Sequence, residues 1–76
     1  MALVRYFVSP NGSQWKVRHN GIDYPYRTQE AAVNAARTAA EQSHANGWNA
    51  QVHVQRPDGR FRTEYTYGND PVEYPG

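Results

Sequence analysis

The run Thr28-Gln29-Glu30-Ala31-Ala32-Val33-Asn34-Ala35-Ala36-Arg37-Thr38-Ala39-Ala40-Glu41-Gln42-Ser43-His44-Ala45-Asn46-Gly47 has a period unlike the rest of the chain. Ala32, Val33, Ala36, Ala39, Ala40 and Ser43 fall on one stripe of a helical wheel. Glu30, Asn34, Arg37 and Glu41 fall on the opposite one. Thr28 is a good N-cap, and Glu30 lies in the first turn, where the helix dipole favours an acid. Ala31 occupies the position that a capping box would give to Glu or Gln. Asn46-Gly47 ends the run, with Gly47 as the left-handed residue after the cap. The spacing predicts one helix over residues 28–46. Its buried stripe is nearly all small, so it can approach a sheet closely, and the sheet must supply the bulk.

On both sides of this helix the chain alternates with a period of two. Leu3 to Val8 reads as a strand ended by the turn Pro10-Asn11-Gly12-Ser13. Gln14 to His19 reads as a second, with Trp15 and Val17 opposed to Lys16 and Arg18. Asn20-Gly21 is a strong two-residue hairpin signal, because both residues tolerate positive φ. Ile22 to Tyr26 returns as a third strand, and Pro25 assigns it to an edge. After the helix, Trp48 to Gln55 alternates again. Pro57-Asp58-Gly59 turns the chain into a last strand, Arg60 to Thr66. Gly68-Asn69-Asp70-Pro71 stops it. The expected fold is α+β: an antiparallel sheet in the order β-β-β-α-β-β, with one helix on one face. Residues 1–68 form the single domain and 69–76 an extended tail. The fourth strand could join beside the first or the third, and the last hairpin could swap into a dimer.

The chain has 76 residues, no cysteine and a formal net charge of +1. One domain of this size buries only about 60–65% of its unfolded surface, and neither a disulfide nor a thiolate metal site is available to stabilise it. The absent cysteines and the lack of a long apolar run near Met1 fit a cytoplasmic protein with no membrane association.

Parity divides the side chains. The helix-covered face is expected to hold Val4, Tyr6, Val8, Trp15, Val17, Val52, Val54 and Phe61, with Trp15 at its centre. The open face is expected to show Leu3, Arg5, Phe7, Lys16, Arg18, Gln51, His53, Gln55, Arg60, Arg62 and Glu64. Five of the eight Lys and Arg residues fall there, so a nearly neutral chain can carry a locally basic sheet. An uncovered antiparallel face is polar in any case, but Leu3 and Phe7 upon it point to a contact.

His19, His44 and His53 show no metal-ligand spacing. Only His53 with Glu64 could form an acid–base pair, and only if their strands are neighbours in register. Neither catalysis, a metal nor a cofactor is expected. Two binding readings remain. In the first, Arg5, Lys16, Arg18, Arg60 and Arg62 meet nucleic-acid phosphates, with Phe7 and His53 on the same face. In the second, Tyr24, Tyr26, Tyr65 and Tyr67 form a rim for a protein partner or a homodimer through edge strands.

In order along the chain, several pieces resemble a small prokaryotic family known as domain of unknown function family 2188. They are Val8-Ser9-Pro10, Gly12, Trp15-Lys16-Val17, Thr28-Gln29-Glu30-Ala31-Ala32, Ala36-Arg37, Asp58-Gly59-Arg60 and Tyr67-Gly68-Asn69-Asp70-Pro71. Tyr24-Pro25-Tyr26 and Asn46 to Asn49 depart from that pattern. The resemblance implies no substrate, cofactor or catalytic residue. The β-β-β-α order with Thr-x-Glu-Ala opening the helix is also similar, in topology, to antitoxin domains of the HicB type.

Overall fold

The computed structural model describes residues 3–68, so Met1, Ala2 and the expected tail at 69–76 lie outside the described residues. The elements run β1 (Leu3–Asn11), β2 (Gln14–His19), β3 (Ile22–Tyr26), α1 (Gln29–Ala45), β4 (Asn49–Gln55) and β5 (Phe61–Tyr67). They form one sheet in the spatial order β3-β2-β1-β4-β5. Thus β4 joins beside β1, and that pair is parallel, Val4 opposite Ala50 and Val8 opposite Val54. The sheet is therefore mixed, not purely antiparallel as alternation led us to expect. Alternation reports which face a side chain takes, and it is silent on strand direction.

The turns follow the residues that favour them. Asn20 and Gly21 both take positive φ, 57° and 79°, and close the β2–β3 hairpin with Arg18 opposite Asp23. The Thr28 hydroxyl accepts a hydrogen bond from the Ala31 amide at 3.1 Å. At the other end Trp48 N–H donates to the Ser43 carbonyl and Gly47 N–H to that of His44, each at 3.0 Å. With Gly47 at φ 95° this is a Schellman ending.

Two prolines sit inside strands. β1 runs on through Pro10, which faces Trp15, and β3 holds Pro25 facing Lys16. Each hairpin has a two-residue loop, so the closing pairs, Asn11 with Gln14 and His19 with Ile22, exchange hydrogen bonds. Alternation then turns the Pro10 and Pro25 nitrogens away from β2. Pro10 faces the side where the β1–β4 ladder has already ended at Val8, and Pro25 faces the outer edge. Neither residue forfeits a ladder bond.

The core lies between α1 and the two central strands. Ala32, Ala36 and Ala40, one turn apart, are buried against Tyr6, Val8, Val52 and Ala50. Val8 and Val52 are the largest side chains sealed completely. Tyr6, 6% exposed, reaches the helix, where its hydroxyl and the Ser43 Oγ are 2.9 Å apart. Trp15 is only partly buried at the margin of this cluster. The expected centre of the core is therefore displaced from Trp15 to Tyr6, Val8 and Val52, because the helix is centred over β1 and β4 and packs less extensively on β2, where Val17 is the buried residue. At Ala40, fully buried in the core, the close seat leaves no room for a larger group. Ala40→Leu should lower the urea midpoint, with a loss of about 1–3 kcal/mol of stability, whereas Thr38→Leu on the exposed side of the helix should change it little.

Candidate functional site

The sheet face away from α1 is built by the strand register. Leu3, Arg5, Phe7 and Ser9 of β1 face Asn49, Gln51 and His53 of β4 on one side and Lys16 and Arg18 of β2 on the other. Asp23 of β3 stands opposite Arg18. The last strand does not keep its parity. Between Val52 and His53 the β4–β5 register slips by one residue, so that Tyr65 opposes Val52 while Thr63 opposes His53. Glu64 is the extra residue of this bulge. As a consequence Arg62 opposes the buried Val54, and Phe61 opposes Gln55.

This overturns part of the expected platform. Arg62 lies on the helix side, contrary to Arg18, and Phe61 leaves the expected core for the open face. Glu64 also leaves that face, lining a hollow with Val33, Val54 and Tyr65 under the helix. Arg60 precedes β5 within the turn, where its carbonyl accepts a hydrogen bond from the Arg56 amide at 2.7 Å. Of the five cations assigned by parity, Arg5, Lys16 and Arg18 remain together.

The open face gains an aromatic cluster in exchange. Phe7 stacks on the His53 ring, centroids 5.0 Å apart, and meets Phe61 edge to face at 5.5 Å. Phe61 is 46% exposed. Phe7, Phe61, Ser9, Lys16 and Arg18 line a cleft of about 300 Å³. That volume is at the low end for small-ligand pockets, and its lining combines two phenylalanine rings with two cations.

Asp23 controls those cations. Its carboxylate accepts from Arg18 Nε at 2.7 Å and from Arg18 Nη2 at 3.0 Å, a bidentate pair. Lys16 Nζ lies 3.5 Å from the same carboxylate. The hydrogen bond from Arg18 is the main cause holding the Asp23 carboxyl below the usual range, and Asp23 in turn raises Arg18. Nothing in the sequence reading singled out Asp23. Its place opposite Arg18 nevertheless follows from the two-residue Asn20-Gly21 loop, which fixes the register of the hairpin.

His53 does not meet Glu64, and the suggested acid–base pair is absent. Its Nδ1 is 2.9 Å from the Thr63 hydroxyl, while Nε2 is buried without a partner. Burial lowers the affinity of the ring for a proton, and the nearby Arg5 charge lowers it further. His19 is on the other face, stacked on Tyr6 at 4.4 Å. Among the described residues no group of three or more His, Cys, Asp or Glu side chains gathers at metal-binding distance. No helix among them is long and apolar enough to cross a membrane.

The expected tyrosine rim is two separate rims. Tyr24 and Tyr26 belong to β3, and Tyr65 and Tyr67 to β5, at opposite edges of the sheet. The second pair is tied to the helix: Arg37 lies 4.5 Å over the Tyr65 ring, and Tyr67 donates to Glu41 at 3.3 Å. On the β3 side, Tyr6, His19, Tyr24 and Tyr26 line a cleft of about 240 Å³ against Ala36 and Ala39.

A family model described as an uncharacterized protein conserved in bacteria, DUF2188, matches residues 6–67. No curated protein and no solved structure gives a significant match.

The His53 environment has a consequence for stability. The folded ring binds protons less readily than an unfolded one, so the unfolded chain takes up the extra proton as pH falls. The stabilisation is present above the unfolded value of about 6.5 and is lost as pH falls toward the depressed folded value. Between pH 7 and pH 5 the melting temperature of the native chain should fall more steeply than that of His53→Gln, measured side by side by circular dichroism.

Proposed function

The chain belongs to the DUF2188 family of uncharacterized bacterial proteins, and from that premise we propose that it is a non-catalytic module that binds nucleic acid on its open sheet face. The observation that carries this reading is the cleft in which Phe7 and Phe61 stand beside Lys16 and Arg18. Flat rings offer a stacking surface to a base, and neighbouring cations offer a place for its phosphate. Arg5, exposed next to Gln51 on the same face, extends the cationic side. The loss of both Arg60 and Arg62 from the face reduces the number of phosphates it can neutralise to about three.

Binding should therefore depend on salt, but gently. With about three phosphates neutralised on a single strand, the log–log slope of the association constant against salt should be near −2. Phe61→Ala should weaken binding about tenfold or more without altering the slope, because the ring carries no charge. Fluorescence anisotropy with a labelled single-stranded oligonucleotide measures both. No detectable binding at low ionic strength would remove the reading.

A second reading, a protein-interaction or self-association module, has one observation in its favour. Ile22 and Tyr24 are 53% and 44% exposed side by side on β3, next to the aromatic cleft under the helix. A patch of this kind fits a protein partner or a second copy. Sedimentation velocity over a range of concentrations distinguishes the two readings. A dimer that is insensitive to salt and is dissociated by Ile22→Lys favours the second.

A further inference from the structure

We propose that the open face selects unpaired nucleotides over duplex, and that Asp23 enforces this choice. The inference rests on the nucleic-acid reading above and adds the class of strand and the residue that discriminates. A duplex presents a surface of phosphates with its base faces hidden in the stack, so a protein that binds it from outside depends on cations. An unpaired strand can also lay a base against an aromatic ring.

The charges of this face are poorly arranged for the first and its rings well arranged for the second. Arg18 gives two donors to Asp23, at 2.7 and 3.0 Å, and Lys16 shares the same carboxylate at 3.5 Å. Both cations that line the cleft are therefore already engaged by one acid from the neighbouring strand. A phosphate arriving there must compete with the carboxylate for the guanidinium and sit close to a like charge. The pair is solvent-exposed, so it yields to a ligand that brings other contacts. The other contact on offer is Phe61, held edge-on to Phe7 with nearly half its surface open. A ligand with phosphates alone meets the full opposition of Asp23, whereas one that stacks offsets it. An acid placed among the cations of a binding face is a repulsive element directed at the wrong ligand.

Asp23 is exposed on an edge strand, and its replacement leaves the core untouched. The test compares three labelled probes of equal length by fluorescence anisotropy at low salt: oligothymidylate, the same strand with abasic sites throughout, and a mixed-sequence duplex. The native chain should bind oligothymidylate about tenfold or more tightly than either of the others. Asp23→Asn should tighten the abasic strand and the duplex by about two- to fivefold and oligothymidylate by less, narrowing the ratio. Asp23→Ser, which is uncharged and has no second oxygen to hold the guanidinium in a bidentate pair, should act in the same direction, and circular dichroism confirms that each variant is folded. If the native chain binds oligothymidylate but holds the duplex or abasic strand equally well, the selection is overturned while the nucleic-acid reading survives. If the ratio is unchanged in both variants, Asp23 is not the discriminator. If none of the probes binds, the nucleic-acid reading itself fails.

Discussion

The close seat of Ala32, Ala36 and Ala40 on β1 and β4 is the constraint from which the rest of the molecule follows. Methyl side chains bring the helix near enough for Tyr6, Val8 and Val52 to fill the space between layers. A helix is about 10 Å across with its side chains, and strands are spaced at just under 5 Å, so it covers two strands well and five poorly. The two central strands receive that cover. β2 and β3 are left with a partly filled cleft, and the whole opposite face has none. Among the described residues there is no second helix to place there.

Much of this was legible beforehand because the signals were local. The helix, its Thr28 cap, its ending at Gly47, the Asn20-Gly21 hairpin and the edge position of β3 each rest on a few adjacent residues. The direction of β4 beside β1 does not. It depends on how the chain returns after α1, and both directions satisfy the same alternation. Parity held for β1, β2 and β4, where one register persists from end to end. It failed in β5 because the bulge at Glu64 adds one residue, and Thr63-Glu64-Tyr65 contains no glycine or proline to announce it. Below the bulge every side chain changes face. One unmarked residue thus removed Arg62 from the candidate site and brought Phe61 into it.

That exchange alters the chemistry of the face more than its area. Five cations and one ring would have formed a phosphate-binding surface with little discrimination. Three cations, one carboxylate and two phenylalanine rings form a surface where charge alone is weak and stacking adds what charge lacks. The half-buried His53 belongs to the same cluster, stacked on Phe7, and burial together with the Arg5 charge lowers its affinity for a proton. Ser9 and Gln51, both nearly buried among longer neighbours, show that the face is not a fully solvated one.

The edges of the sheet bear on which surface is left for a partner. A free edge invites another strand, and proteins blunt such edges with proline, charge or bulges. β3 turns the nitrogen of Pro25 outward, so one of its outward positions has no hydrogen to donate, and Asp23 lies two residues away. β5, the other edge, is interrupted by the Glu64 bulge and carries Arg62 beside it. A strand adding to either would lose ladder bonds or meet a change of twist within a few residues. Pairing through the edges is therefore opposed at both ends of the sheet, by different devices. The broad face that carries Phe7, Phe61, Lys16 and Arg18 has no such obstruction. Its one restraint, the Asp23 carboxylate, acts on the charge of the ligand and leaves its approach open.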